Sequence, residues 1–178
     1  VEVAITLTAR ASLSYWHLNL TNRSAAYGLW HVTFPIVDRL KADRDSALAV
    51  PLGWGWVFRD PLHTLTPRYE GDYPSCAWTM QFSLLYNDSD RGNGHGLYLA
   101  CEDSKARHKS FAFSVSPKKE WLTYQVTNYP AGMGVVGKSL QAQPESYQAV
   151  VGVYQGGWCA GAKLYRTWAI KQDWCSKG

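Results

Sequence analysis

YPSCAWTMQFSLLYNDSDRGNGHGLYLACED, residues 73–103, is the stretch whose reading decides the fold. Over residues 77–86, Trp78, Met80, Phe82 and Leu84 alternate with Ala77, Thr79, Gln81 and Ser83. That period of two gives one apolar face and one smaller, more polar face, as a half-buried strand requires. Residues 96–100 form a shorter run in which Leu97 and Leu99 face opposite to Tyr98. Turn-forming Asn, Asp and Gly fill the interval between them. Two such runs joined by such a turn predict a central hairpin.

Outward from the hairpin the same signal recurs. Residues 1–8 (VEVAITLT) alternate cleanly, and residues 12–20 (SLSYWHLNL) alternate less cleanly. A third strand is predicted over 28–34 (GLWHVTF), ended by Pro35, which cannot donate to a sheet ladder. A short helical turn is expected over 37–41, then a charged loop and a short strand over 48–51. Residues 62–72 and 129–145 read as loops, while 109–116, 121–128 and 146–154 read as strands. After Gly156-Gly157 the period changes: Trp158, Ala162, Tyr165 and Ala169 recur at helical spacing, predicting one helix over 158–174. Many strands in succession and one terminal helix predict a mainly β fold, an antiparallel β-sandwich with one C-terminal α-helix. The expected organisation is a single domain over 1–178, with strands and loops over 1–155.

The 178-residue chain is 46% hydrophobic and 18% charged, a globular balance with material for a sizeable core. No apolar run is long enough for a transmembrane helix, and no basic-then-apolar signal segment opens the sequence. The first residue is Val, so an excised domain or processed product is expected. The net charge is +4, but the basic residues are scattered. Without a basic stripe, neither nucleic acid nor a membrane is an expected partner. Cys76, Cys101, Cys159 and Cys175 lack the C-x-x-C spacing of zinc or redox sites. Cys76 and Cys101 flank the hairpin strands, which leaves open a disulfide or two free thiols.

Nine Trp and eleven Tyr exceed what a core of this size needs. The surplus points to a surface of flat apolar rings, which stack on sugars, bases or partner side chains. The segment GWGWVFRDP, residues 53–61, interleaves Trp54 and Trp56 with glycines that let a loop present them. Catalytic signals are weak by comparison. No G-x-S-x-G elbow and no H-x-H or H-E-x-x-H spacing occurs. The oxygen-rich turn over 87–93 lacks the ligand order of an EF-hand and reads as a solvated turn. Asp60, Glu70, Asp72, Glu102 and Asp103 are candidates for a glycosidase carboxylate pair, but separation decides that chemistry and spacing in sequence does not. Three N-x-[ST] sequons stand at Asn19, Asn22 and Asn87.

Three motifs occur in order: Y-P-x-x-A-x-x-M-Q (Tyr73, Pro74, Ala77, Met80, Gln81), G-L-Y-L-A with a following Asp103, and a helix carrying Gly156, Trp158, Ala162, Tyr165, Arg166, Trp168, Ala169, Gln172 and Trp174. Together with V-x-F-P-I-V at 32–37 they resemble the β-sandwich region that precedes a TIM barrel in large bacterial glycoside-hydrolase-like proteins. The resemblance implies an accessory domain with no catalytic residues, metal or cofactor of its own, and catalytic carboxylates in a barrel after the terminal helix. It also implies a secreted or periplasmic setting. Two functions follow as expectations. In the first, the domain binds a polysaccharide or oligosaccharide, with Trp54, Trp56, Tyr73 and Trp78 as stacking platforms and Arg59, Gln81 and Asp103 as polar partners. In the second, it packs against the barrel through the terminal helix, leaving Tyr165, Trp168 and Trp174 partly bare in the isolated chain, and holds no ligand.

Overall fold

In the computed structural model, which describes residues 1–87, 94–141 and 147–176, the strands in chain order are β1 (Glu2–Arg10), β2 (Leu13–Thr21), β3 (Val32–Leu40), β4 (Ser46–Val50), β5 (Trp56–Arg59), β6 (Arg68–Tyr73), β7 (Phe82–Asn87), β8 (His95–Asp103), β9 (Lys109–Val115), β10 (Leu122–Asn128), β11 (Leu140–Gln141) and β12 (Tyr147–Gln155). The helices are α1 (Pro61–Thr64), α2 (Trp158–Ala169) and α3 (Asp173–Ser176). The larger sheet runs β1-β2-β12-β8-β7-β4-β5, with β11 also paired to β2, and the smaller runs β3-β10-β9-β6. All pairings are antiparallel, so the expected sandwich with a C-terminal helix is the fold observed.

Alternation along the central strands of the larger sheet feeds two apolar layers. One layer lies between the sheets and includes Leu48, Leu85, Leu99 and Cys101 from the larger sheet and Phe111, Phe113, Tyr124 and Val126 from the smaller. The other lies under α2 and joins Phe82, Leu84, Tyr98 and Val150 to Tyr165 and Ala169. Gly161 lets the helix come this close, because a Cβ there would meet Leu84 at 2.6 Å. Phe82 stacks on Tyr165 with ring centroids 4.7 Å apart, which fixes the helix on β7.

The hairpin of β7 and β8 is present, with Phe82 opposite Ala100 and Tyr86 opposite Gly96. Its first strand starts later than predicted. Ser75 accepts backbone hydrogen bonds from Ala77 and Trp78, and Thr79 N donates to Pro51 O. These local bonds turn residues 74–81 into a folded loop in place of a strand. The sequence alternation from Trp78 to Leu84 is therefore accidental: Trp78 joins the layer between the sheets, whereas Phe82 and Leu84 join the layer under the helix.

Three other expectations are corrected. Residues 68–73 form β6, where Tyr69, Gly71 and Tyr73 alternate with outward-facing Arg68, Glu70 and Asp72. The third strand starts at Val32 and runs through Pro35 to Leu40, replacing the predicted helical turn. Pro35 is tolerated because β3 is an edge strand, where one row of N–H groups needs no partner. The terminal helix is divided, α2 ending at Ala169 and α3 beginning at Asp173. All four cysteines are free; Cys101 is buried and Cys76 is exposed, so these two do not pair. The oxygen-rich turn read over 87–93 lies, apart from Asn87, outside the described residues.

Candidate functional site

A groove of about 860 Å³ opens beside α2. One wall is the β4–β5 hairpin with Trp54 and Trp56, and the opposite wall is α2 and α3 with Trp158 and Trp174. Tyr73, Met80 and Phe82 form its floor. Trp54 sits on the turn closed by Gly55 N donating to Leu52 O at 2.8 Å, and both Gly53 and Gly55 have positive φ. That backbone lifts its ring wholly into solvent. Trp56, Trp158 and Trp174 are each between 52% and 55% exposed. Four bare indoles converging on one concavity are unusual, because large exposed apolar patches mark interaction sites.

The polar groups of the groove are few. Thr79 Oγ1 is committed to Pro51 O at 2.9 Å, which leaves chiefly Ser104, Lys105 and Arg166. No carboxylate lines it. The five candidate catalytic carboxylates are held elsewhere: Asp60 by His63, Glu70 by Arg68 and Ser110, Asp103 by Lys109, Glu102 by Gln148, and Asp72 lies 3.9 Å from His108.

Of the seven residues expected to bind ligand, the groove brings together Trp54, Trp56 and Tyr73. Tyr73 is buried in its floor and offers an edge at most. Arg59 is exposed on β5 and does not line the groove. The remaining three lie inside the protein. Trp78 is fully buried and stacks on Phe111 at 5.3 Å, and Gly71 makes room for it, since a Cβ there would meet the indole at 2.6 Å. It is a core residue and cannot serve as a platform. Gln81 and Asp103 are also fully buried. Gln81 Nε2 donates to Asp103 O at 3.0 Å, and Lys109 Nζ donates to Gln81 Oε1 at 3.1 Å and Asp103 Oδ2 at 2.9 Å. Arg107 Nη1 donates to Asp103 Oδ1 at 2.6 Å. This node ties β8 to β9 and closes one end of the layer between the sheets. Desolvation lowers the Lys109 ammonium pKa, and the Asp103 carboxylate opposes that shift.

Of the three rings expected to stay partly bare on an interfacial helix, Trp174 is half-exposed and Trp168 is partly buried, but Tyr165 is buried because it stacks on Phe82; Trp158 and Arg166 were not anticipated as site residues. The terminal helix was visible in the sequence, but its spacing placed Trp158 on the apolar stripe and so gave no sign that this ring stays half-bare. Among the described residues no group of His, Cys, Asp and Glu is arranged to hold a metal ion, and no helix is long and apolar enough to cross a membrane. No known protein family, curated protein or solved structure matches the chain.

Proposed function

We propose that the domain is an accessory sandwich of the kind that precedes the barrel in glycoside-hydrolase-like proteins, and that its tryptophan groove seats polypeptide from that barrel. One observation carries this reading: both walls of the groove present half-bare indoles, and apolar Ala49, Val57 and Ala162 share the lining with them. A sugar presents hydroxyls around every ring and needs a matching set of donors and acceptors. Gln81 and Asp103, the polar partners a sugar site was expected to use, are consumed in the buried node. Apolar side chains of a packed domain need no such partners, and obligate interfaces resemble a core cut in half. In the resemblance the barrel follows the terminal helix, which here forms one wall.

A second reading is favoured by charge. Arg166 and Lys105 line the groove without any carboxylate, and Trp54 is free to stack. Those features suit an acidic, uronate-bearing polysaccharide. Hydroxyl-radical footprinting separates the two. Packing against a barrel predicts heavy oxidation of Trp54, Trp158 and Trp174 in the 178-residue chain, protection in the intact parent protein, and no protection by any glycan. Equal oxidation in chain and parent overturns the packing reading. Protection of the isolated chain by polyuronate, lost in Arg166→Ala, establishes the glycan reading in its place.

A further inference from the structure

The two sheets have four edge strands, and three of them carry devices that block pairing with another chain. β5 has four residues and is followed by Asp60 at positive φ and by Pro61. β3 contains Pro35, places Arg39 at positive φ, and slips register twice against β10. β6 directs Arg68, Glu70 and Asp72 outward and ends before Pro74. Short length, proline, charge and bulges are the ordinary protections of a sheet edge.

Between its terminal charges, Glu2 and Arg10, β1 has none of them. It runs nine residues without proline, lysine or glycine, and it pairs with β2 without interruption from Glu2 opposite Thr21 to Arg10 opposite Leu13. Every residue in it is exposed. Val3, Ile5 and Leu7 lie on the face of Leu20, Leu18 and Trp16, yet remain 56%, 54% and 60% exposed. Among the described residues no strand pairs with its outer edge.

We propose that β1 is a self-pairing edge that joins two copies of this chain, antiparallel, into one continuous sheet. The occupant follows from register and charge. The β1–β2 hairpin turns on Ala11 and Ser12 alone, with Ala11 at positive φ. In a two-residue hairpin the flanking residues share a hydrogen-bonded pair, so alternate positions from Ala9 back to Val3 direct N–H and C=O to the free edge. A two-fold pairing must set those positions opposite one another. Centred on Thr6, it places Ile5 opposite the second copy's Leu7, and Glu2 opposite the second copy's Arg10, twice over. Centred on Ile5, it leaves both charges unmatched. The Thr6 register is thus self-complementary in apolar row and in charge, and an isologous pairing of this kind closes at two. Glu2 meets Arg23 at 3.1 Å in the single chain, but both groups are exposed and such a pair contributes little.

Sedimentation of the 178-residue chain over a concentration series tests this. The expected result is a reversible monomer–dimer equilibrium. Thr6→Lys sets two ammonium groups on the axis and weakens the dimer by about tenfold or more. Glu2→Arg weakens it by a similar factor, and adding Arg10→Glu restores it, whereas a general loss of folding does not reverse in this way. Circular dichroism of each variant reports the fold separately. A chain that stays monomeric at millimolar concentration overturns the proposal. So does open-ended assembly, a dimer indifferent to Thr6→Lys, or a dimer dissolved by Trp54→Ala, which would move the contact to the groove.

Discussion

Glu102 and Asp103 are neighbours on β8 and face opposite layers of the protein. Asp103 enters the layer between the sheets, where Lys109, Arg107 and two backbone N–H groups bond its carboxylate. Glu102 enters the layer under α2, where Gln148 Nε2 donates to it at 2.6 Å. Burial raises the Glu102 pKa, and the hydrogen bond from Gln148 and the charges of Lys171 and Arg10 oppose the rise. The same contrast holds for the tryptophans: Trp78 is sealed between the sheets, while Trp56, Trp158 and Trp174 stand half-bare beside the helix. One layer is closed and its charged groups are paired, although among the described residues Trp78 Nε1 and Tyr124 OH are buried in it without a hydrogen-bond partner. The other is covered by a single twelve-residue helix, too narrow for the sheet beneath. The unfinished layer is where the proposed partner would sit.

If the layer between the sheets is the finished one, damage there has the largest effect. Trp78→Ala removes a fully buried ring and its stack on Phe111, and should cost about 3–5 kcal/mol in urea unfolding. A loss below about 1 kcal/mol would show that the loop over 74–81 is only loosely held and would weaken the comparison. Lys109→Ala leaves Gln81 and Asp103 short of a donor in a dry site and should cost about 3 kcal/mol. The figure sits at the low end for a broken buried pair because Arg107 still faces Asp103.

Glu102 tests the other layer, and with the opposite sign. Because its pKa is raised on folding, the folded protein keeps this proton to higher pH than the unfolded chain does. The stability it contributes is fully present below the unfolded carboxyl pKa and is lost as pH rises through the raised value. Glu102→Gln removes the buried charge while keeping an oxygen for Gln148. It should stabilise the protein at neutral pH by about 1 kcal/mol and flatten the fall in stability from acid to neutral pH. A variant that is less stable at neutral pH would mean that Glu102 is better paired than the contrast with Asp103 allows.

How much of this could be read from the sequence depends on which force set each feature. Alternation identified most of the strands and the hairpin, because burying one face of a sheet requires that pattern. It failed at Trp78, where Ser75 and Pro51 supply competing hydrogen bonds to the backbone. It failed again at β6, where Gly71 occupies an inward position because the indole of Trp78 needs the space. Pro35 ended the third strand on paper, since a lone sequence does not tell an edge from a centre. The site was legible in part for a similar reason. The glycines around Trp54 and Trp56 announced presentation of a ring, but the meeting of Trp54 with Trp158 and Trp174 depends on where α2 docks. Gln81 and Asp103 looked like surface polar groups because a buried lysine on β9 is invisible until the sheets are stacked.

The smallest effect expected is also the most discriminating. Trp54→Ala removes a ring that the single chain leaves in water and should change unfolding free energy by less than about 0.5 kcal/mol, and Trp174→Ala removes a half-bare ring edge-on to Trp168 and should cost no more than about 1 kcal/mol. If, as proposed, a barrel in a longer chain packs into the groove, the same two substitutions should lower stability there by several times those amounts, since each ring would then be buried. Equal, small effects in both settings would mean that the helix-side layer is bare by design and stays bare. The contrast between the two faces of β8 would then be one of solvent exposure alone, and the groove would need a diffusible ligand to account for its indoles.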